Sequence, residues 1–201
     1  NNINFKKFDI LSIDSLKVSG LSDLEKIEFE EEFNYLISKN LLFLDKSVIS
    51  KKIFSNKIVE DLSIFKRYPS ELEIIIKKTN FLAVTKKDNK NYFIGSNGNF
   101  ILVRENLENL PFIFGDIEPR DFLKLKDIIE RSNFDINRIK NLYFFKSKRW
   151  DIETIDNLIV KLPIKKVEQS LNLLTKILNE EEFQNKKLID LRHSNQVITN
   201  D

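Results

Sequence analysis

Two hydrophobic periods occur within the first eighty residues, and together they restrict what the chain can fold into. Phe29, Phe33, Leu36 and Ile37 recur at i, i+4, i+7 and i+8, the spacing that lines one face of a helix. Leu72, Ile74 and Ile76 recur at every second residue, as on a strand with one buried face. A segment that holds both must lay helices against a sheet, which is an α+β arrangement. The flanking signals agree. Ser22-Asp-Leu-Glu25 has the form of a capping box at the start of the first helix, where the serine hydroxyl and the glutamate carboxylate satisfy free backbone N–H groups. Glu28, Glu31 and Glu32 fall on the opposite face of that helix. Phe8–Val18, ending before Gly20, reads as a strand, Lys46–Phe54 as a second short helix, and Ile58–Lys66 as another strand. Tyr68-Pro69-Ser70 breaks the chain before the strand 71–77, because proline fixes φ and restricts the residue before it. The resulting order is β-α-α-β-β.

Beyond residue 80 the character changes. Short apolar runs at 81–85, 91–95 and 100–103 are separated by turn residues, and Asn97-Gly98 is a strong hairpin signal. Pro111 and Gly115 bracket a further short run. A helix is expected over Pro119–Arg131, with Phe122, Leu125 and Ile129 on its buried stripe, and another through Val167, Leu171, Leu174 and Leu178. Strands are expected at 139–145, 149–154, 158–162, 187–192 and 196–199. This part therefore reads as a mostly antiparallel β domain with two helices, and the expected domains are 1–79 and 80–201.

The motifs for catalysis are missing. The chain has no cysteine and one histidine, His193, which excludes thiolate chemistry, cysteine-ligated metals and multi-histidine metal sites. Four glycines, at 20, 95, 98 and 115, cannot build a phosphate-cradling loop or a dinucleotide fingerprint. The acidic runs Glu30–Glu32 and Glu180–Glu182 lie on helical segments beside lysines, as solvated helix faces do. No cofactor or metal is expected. With 33 basic against 31 acidic residues the net charge is +2, without the basic excess of a nucleic-acid binder. Isoleucine, lysine and asparagine are abundant (27, 26 and 22 residues) against one alanine, a bias that reflects an AT-rich genome. Isolated lysines are discounted accordingly.

One basic cluster stands apart. Lys146-Ser-Lys-Arg149 runs directly into Trp150, the single tryptophan. Arginine beside an aromatic residue is frequent in interface hot spots, but a tryptophan can equally anchor the core while its neighbours face water. Both readings stay open here, with Lys148 and Arg149 as candidates for the border of a protein-binding face.

The order of segments resembles that of the FtsQ/DivIB family of bacterial cell-division proteins. Ile13-Asp-Ser-Leu-Lys-Val-Ser-Gly-Leu-Ser22 is similar to the opening strand, glycine and helix cap of that family's POTRA domain. Asn40–Asp45 resembles the segment after its first helix, and Ile58 through Arg67-Tyr-Pro-Ser-Glu-Leu-Glu-Ile-Ile-Ile76 its strand, aromatic-proline turn and strand. Tyr92–Phe100, Leu110-Pro111, Arg149-Trp-Asp151, Leu158–Leu162 and Ile189-Asp-Leu-Arg192 follow in the family's order. Two departures occur. Lys77 and Phe81 stand where the family has Glu and then Pro before the matching Ala83, and Asp156-Asn157 replaces the more usual Asn-Gly.

The resemblance implies a POTRA-like β-α-α-β-β domain (1–79) followed by an FtsQ/DivIB-type β domain (80–201). It implies a non-enzymatic divisome scaffold, a single-pass inner-membrane protein with this part in the periplasm. Its partners would be FtsB/DivIC-like and FtsL-like division proteins. The chain begins at Asn1 and lacks methionine, so a fragment or processed product is expected, with its membrane helix ahead of residue 1. The last strand, roughly 196–199, closes the sheet and can leave one edge unpaired, which suits strand addition by a partner. By position in the family, Arg192, His193 and Ser194 in the turn, then Val197, Ile198 and Thr199 on the strand, form the expected docking set. The competing reading is a POTRA-bearing component of outer-membrane protein assembly or secretion. Against it, POTRA units there occur in tandem or precede a barrel, and no alternating strands of about ten residues are seen.

Overall fold

A close approach that only glycine permits sets the geometry of the first sheet. In the computed structural model, which describes residues 11–103, 109–183, 186–193 and 196–200, the unit Asn1–Asn80 has the order β-α-α-β-β. It contains β1 (Ser15–Ser19), α1 (Asp23–Phe33), α2 (Lys46–Phe54), β2 (Val59–Arg67) and β3 (Glu71–Lys78). The sheet order is β1-β3-β2, with β1 parallel and β2 antiparallel to β3. Gly20 leaves β1 at φ +89°, and a Cβ built there would lie 1.7 Å from the Ile76 carbonyl oxygen. No other residue type fits that position.

Leu72, Ile74 and Ile76 point to one face of β3 and are buried against Phe33, Leu36, Ile49 and Ile53 from the helical side. The start of α1 is tied to the sheet. The Glu25 carboxylate accepts from the Ser22 N–H (2.9 Å), the Ser22 hydroxyl (2.7 Å) and the Lys78 ammonium on β3 (2.7 Å). Partial burial works against its charge, but the hydrogen bonds from Lys78 and Ser22 outweigh burial and hold its pKa below the usual value.

The first strand is shorter than the expected 8–18, and its residues 8–10 lie outside the described ones. Residues 11–13 do not join the sheet because their backbone is bonded elsewhere. Ile13 donates to Lys39 O and accepts from the Ser38 N–H, and Leu11 O accepts from the Leu41 N–H. The segment after α1 thus competes successfully for this stretch.

The unit Phe81–Asp201 forms one mixed sheet. Its elements are β4 (Phe81–Lys87), β5 (Lys90–Gly95), β6 (Phe100–Leu102), β7 (Phe112–Phe114), α3 (Pro119–Arg131), β8 (Ile139–Phe144), β9 (Trp150–Thr154), β10 (Ile159–Lys161), α4 (Val167–Ile177), β11 (Leu188–Asp190) and β12 (Ile198–Asn200). The strand order is β12-β11-β10-β9-β8-β7-β4-β5-β6. The pairings β4–β7, β7–β8 and β10–β11 are parallel and the rest antiparallel, so the sheet is mostly antiparallel, as expected. Ile113, Leu142, Ile152, Val160 and Ile189 form the covered face. Phe122, Leu125 and Ile129 of α3 and Leu171, Leu174 and Ile177 of α4 pack on it. At Asn97-Gly98 only the glycine takes positive φ, +75°.

Replacing Gly20 by alanine should therefore be severe. A strained φ alone costs on the order of 1–3 kcal/mol, and contact with the Ile76 carbonyl adds to it. A loss of more than ~2 kcal/mol is expected in urea denaturation followed by far-ultraviolet circular dichroism, whereas Ser19→Ala on the exposed side of β1 should stay within ~0.5 kcal/mol.

Candidate partner-binding surface

The basic cluster beside Trp150 occupies the turn between the strands expected at 139–145 and 149–154, and Arg149 lies in that turn, not on the strand. β8 ends at Phe144 and β9 starts at Trp150. Between them the Phe145 N–H donates to Arg149 O (3.0 Å) and the Lys148 N–H to Phe145 O (2.8 Å). Lys148 adopts φ +65°, a left-handed conformation that a strand could not hold. Trp150 itself is 7% exposed and packs on Phe144 with ring centroids 4.6 Å apart. Of the two readings of this residue, core anchor is the one found. Lys148 reaches away to Asp121 on α3 (3.1 Å) and lies over the Phe144 ring. Arg149 stacks over Phe145, 4.1 Å from its centroid, and its Nε donates to Asp151 (3.2 Å).

Residues 151, 161 and 190 are cross-strand neighbours on β9, β10 and β11. They alternate with the buried Ile152, Val160 and Ile189 and so occupy the face away from α3 and α4. Asp151, Lys161 and Asp190 thus form a row of alternating charge, closed at its ends by Arg149 and Arg192. Arg192 Nε lies 2.8 and 2.9 Å from the two Asp190 carboxylate oxygens, and a second guanidinium nitrogen also donates to Asp190. The Asp190 carboxylate takes the Arg192 N–H as well (3.0 Å). This turn ends β11 at residue 190, short of the expected 192. These bonds from Arg192 hold the Asp190 carboxyl below its usual range and raise Arg192. Asp151 differs: burial pushes its pKa up, against the lowering effect of Arg149. On the neighbouring row the Tyr143 hydroxyl donates to Glu153 (2.6 Å), pushing the phenol up to about 12 and the carboxyl down.

A groove of about 800 Å³ brings together residues that are distant in the sequence. Arg149 and Arg192 line it with His193, and Lys165 and Lys166 contribute from the loop before α4. No acidic residue is among the described residues that line it. Its apolar floor includes Ile164 and Leu173, which are 59% and 44% exposed, together with half-buried Val197. The expected set is therefore divided. Arg149, Arg192, His193 and Val197 share the groove, Lys148 does not line it, and Ser194 lies outside the described residues.

The last strand starts at Ile198, not at residue 196, because Val197 packs against the core instead. Ile198 and Thr199 are on it, and β12 is an end strand of the sheet. The Ile159 N–H donates to Lys187 O and the Leu191 N–H to Lys161 O, while the Lys187 N–H crosses to Asn200 O, so residues 189 and 191 of the β11 segment face β10, and residues 188 and 190 face β12. Their partners Asn200 and Ile198 turn inward, which leaves the N–H and C=O of Thr199 on the outer edge.

Sequence reasoning missed Lys165, Lys166, Ile164 and Leu173, which come from the 163–166 loop and the outer face of α4. It also missed Asp151 and Asp190, which position the two arginines. Their signal was local: Arg149-x-Asp151 and Asp190-x-Arg192 place opposite charges two residues apart at the end of a strand.

Comparison with known proteins covers both units. Residues 83–192 match the family model described as cell division protein FtsQ/DivIB, C-terminal, and residues 11–78 match the POTRA domain, FtsQ-type. The cell division protein FtsQ of Bradyrhizobium diazoefficiens is 24% identical over 193 residues, 92% of this chain and 56% of that protein. FtsQ of Agrobacterium fabrum is 26% identical, with 90% and 58% covered, and DivIB of Clostridium tetani is 25% identical, with 68% and 52% covered. The chain spans about half the length of these curated relatives. The solved major extracytoplasmic domain of DivIB from Geobacillus stearothermophilus aligns at a TM-score of 0.38 and 10% identity, covering 54% of this chain and 98% of that one. A mixed sheet carrying two helices, preceded by a β-α-α-β-β unit, is thus matched in both parts by one family's models, the larger match covering more than half of the chain, and the chain belongs to the FtsQ/DivIB family of cell-division proteins.

Proposed function

We propose that this chain is the extracytoplasmic part of a single-pass inner-membrane divisome protein and acts as a non-enzymatic scaffold. It docks FtsB/DivIC-like and FtsL-like partners during septum formation. One observation carries the docking reading: the outer edge of β12, with the Thr199 N–H and C=O directed outward, in the same segment as Arg192, His193 and Val197 of the basic groove. An extended partner segment adds to such an edge through backbone hydrogen bonds, while its acidic side chains pair with arginine. Arg149 and Arg192 suit that task because each is already oriented by an aspartate. Ile198, 44% exposed, offers an apolar contact on the strand itself. The scaffold reading is supported by the carboxylates of the second unit. Asp151 and Asp190 are each bonded to an arginine and Glu153 to Tyr143, roles that hold structure. Among the described residues no helix is long and apolar enough to cross a membrane.

The test is binding of the extracytoplasmic segment of the FtsB- or DivIC-like partner. Removing residues 197–201 is expected to leave a folded protein by circular dichroism and to weaken binding at least about tenfold, or ~1.4 kcal/mol. Arg192→Glu and Arg149→Glu are expected to act in the same direction, with an effect that shrinks as salt rises. Retained affinity in the truncated chain would discard the edge as the docking site.

Acid should loosen the same region. The lowered pKa of Asp190 means that its pairing with Arg192 stabilises the fold above the unfolded carboxyl value of ~3.9. That contribution is lost as pH falls through the lower folded value. The difference in melting temperature between the parent chain and Asp190→Asn should therefore be largest near neutral pH and close up in strong acid. A difference that stays constant to pH 2 would contradict the assignment.

A further inference from the structure

The first unit has a long sheet edge on β2, and two of its outward backbone groups are occupied by the protein's own side chains. Orientation follows from register. The Asp14 N–H donates to Ser70 O, and the Ile76 carbonyl abuts Gly20, so the even-numbered residues of β3 address β1. The odd-numbered ones address β2, where they pair with residues 61, 63, 65 and 67. The N–H and C=O groups of Leu62, Ile64 and Lys66 are left on the outer edge. Two of these are taken. The Asp61 carboxylate accepts the Leu62 N–H (2.8 Å), and Lys46, the first residue of α2, donates its ammonium to Ile64 O (2.7 Å). Lys66 donates to Leu42 O (3.0 Å), fastening the segment before α2 beside the edge.

We infer that the β2 edge is closed by this set, with Lys46 as its latch, and that release of the latch makes the edge pair antiparallel with β2 of a second copy of the chain. The strand is self-complementary. A two-fold axis at Ser63 sets Leu62 opposite Ile64 of the second copy and Ile64 opposite its Leu62, the positions whose groups Asp61 and Lys46 now hold. The same axis places Glu60 opposite Lys66 of the second copy, an opposite-charge cross-strand pair. A nine-residue edge strand is the kind of edge that self-associates unless it is blocked. The latch thus confines strand addition to other edges. This inference concerns the first unit and stands whether or not β12 docks a partner.

The absence of cysteine makes the test direct. Ser63→Cys, on the exposed side of β2, brings two thiols together only in the two-fold arrangement. In mild oxidant the latched Ser63→Cys protein should remain monomeric in gel filtration and on non-reducing gels. Adding Lys46→Met, which keeps the aliphatic stem, together with Asp61→Ala should shift it to a disulfide-linked dimer, with circular dichroism unchanged. Lys46→Arg with Asp61 kept, which preserves both contacts, should stay monomeric. Ser55→Cys at the end of α2 is the control off the edge and should not cross-link in either background. If the double change perturbs folding, Asp61→Ala alone should still produce partial dimer and faster hydrogen exchange at the Leu62 amide. Equal cross-linking of the latched protein, or no dimer from a folded unlatched one, would overturn the inference.

Discussion

Two short parallel pairings hold the nine-stranded sheet together as one sheet. β7 is three residues long, yet it lies between β4 and β8 and pairs in parallel with both. Without it the β4–β6 strands and the β8–β12 strands would be separate sheets. Further hydrogen bonds, one from a side chain and one from the backbone, reinforce this join. The Thr85 hydroxyl donates to Ile113 O (2.9 Å), and the Val84 N–H to Pro111 O (2.9 Å). Gly115, at φ +116°, then leaves the strand so close to Phe144 that a Cβ would lie 2.3 Å from its carbonyl oxygen. The Phe114 and Tyr143 rings stack with centroids 5.1 Å apart across the same junction.

Everything proposed for partner docking lies downstream of that join. Ile113, Leu142, Ile152 and Val160 form a continuous apolar surface only if β7 to β10 are aligned, and α3 and α4 pack on it. The position of α4 sets one wall of the basic groove, and the strand ends around residues 149 and 192 set the other. Charge placement follows the same alignment, since Asp151, Lys161 and Asp190 face one another only in this register. The groove is thus a product of tertiary packing, not of any one segment.

That explains which parts were legible in the sequence. α2 and α3 have the bounds their apolar spacing and flanking residues indicated, and the Leu72, Ile74, Ile76 alternation points into the core. These are local signals, carried by burial of one face. The errors occur where a nonlocal partner decides. Leu11 to Ile13 look like strand by composition but bond to the 38–41 segment. Arg149 reads as the start of a strand, yet the left-handed Lys148 keeps it in the turn. Val197 suits a strand and is used instead as packing. No periodicity could reveal that Ile164 and Leu173 share a groove with Arg192, because they meet only after the sheet is assembled.

The burial of Trp150 against Phe144 divides the chain optically. The only indole lies in the second unit, whereas the first has Tyr35 and Tyr68 but no tryptophan. Emission excited at the red edge of indole absorption therefore reports on the second unit alone, and far-ultraviolet ellipticity reports on both. Coincident curves from the two signals would mean that the units melt as a single cooperative system. Separated curves would assign the indole transition to the mixed sheet and the remainder to the β-α-α-β-β unit, without a label or an engineered residue.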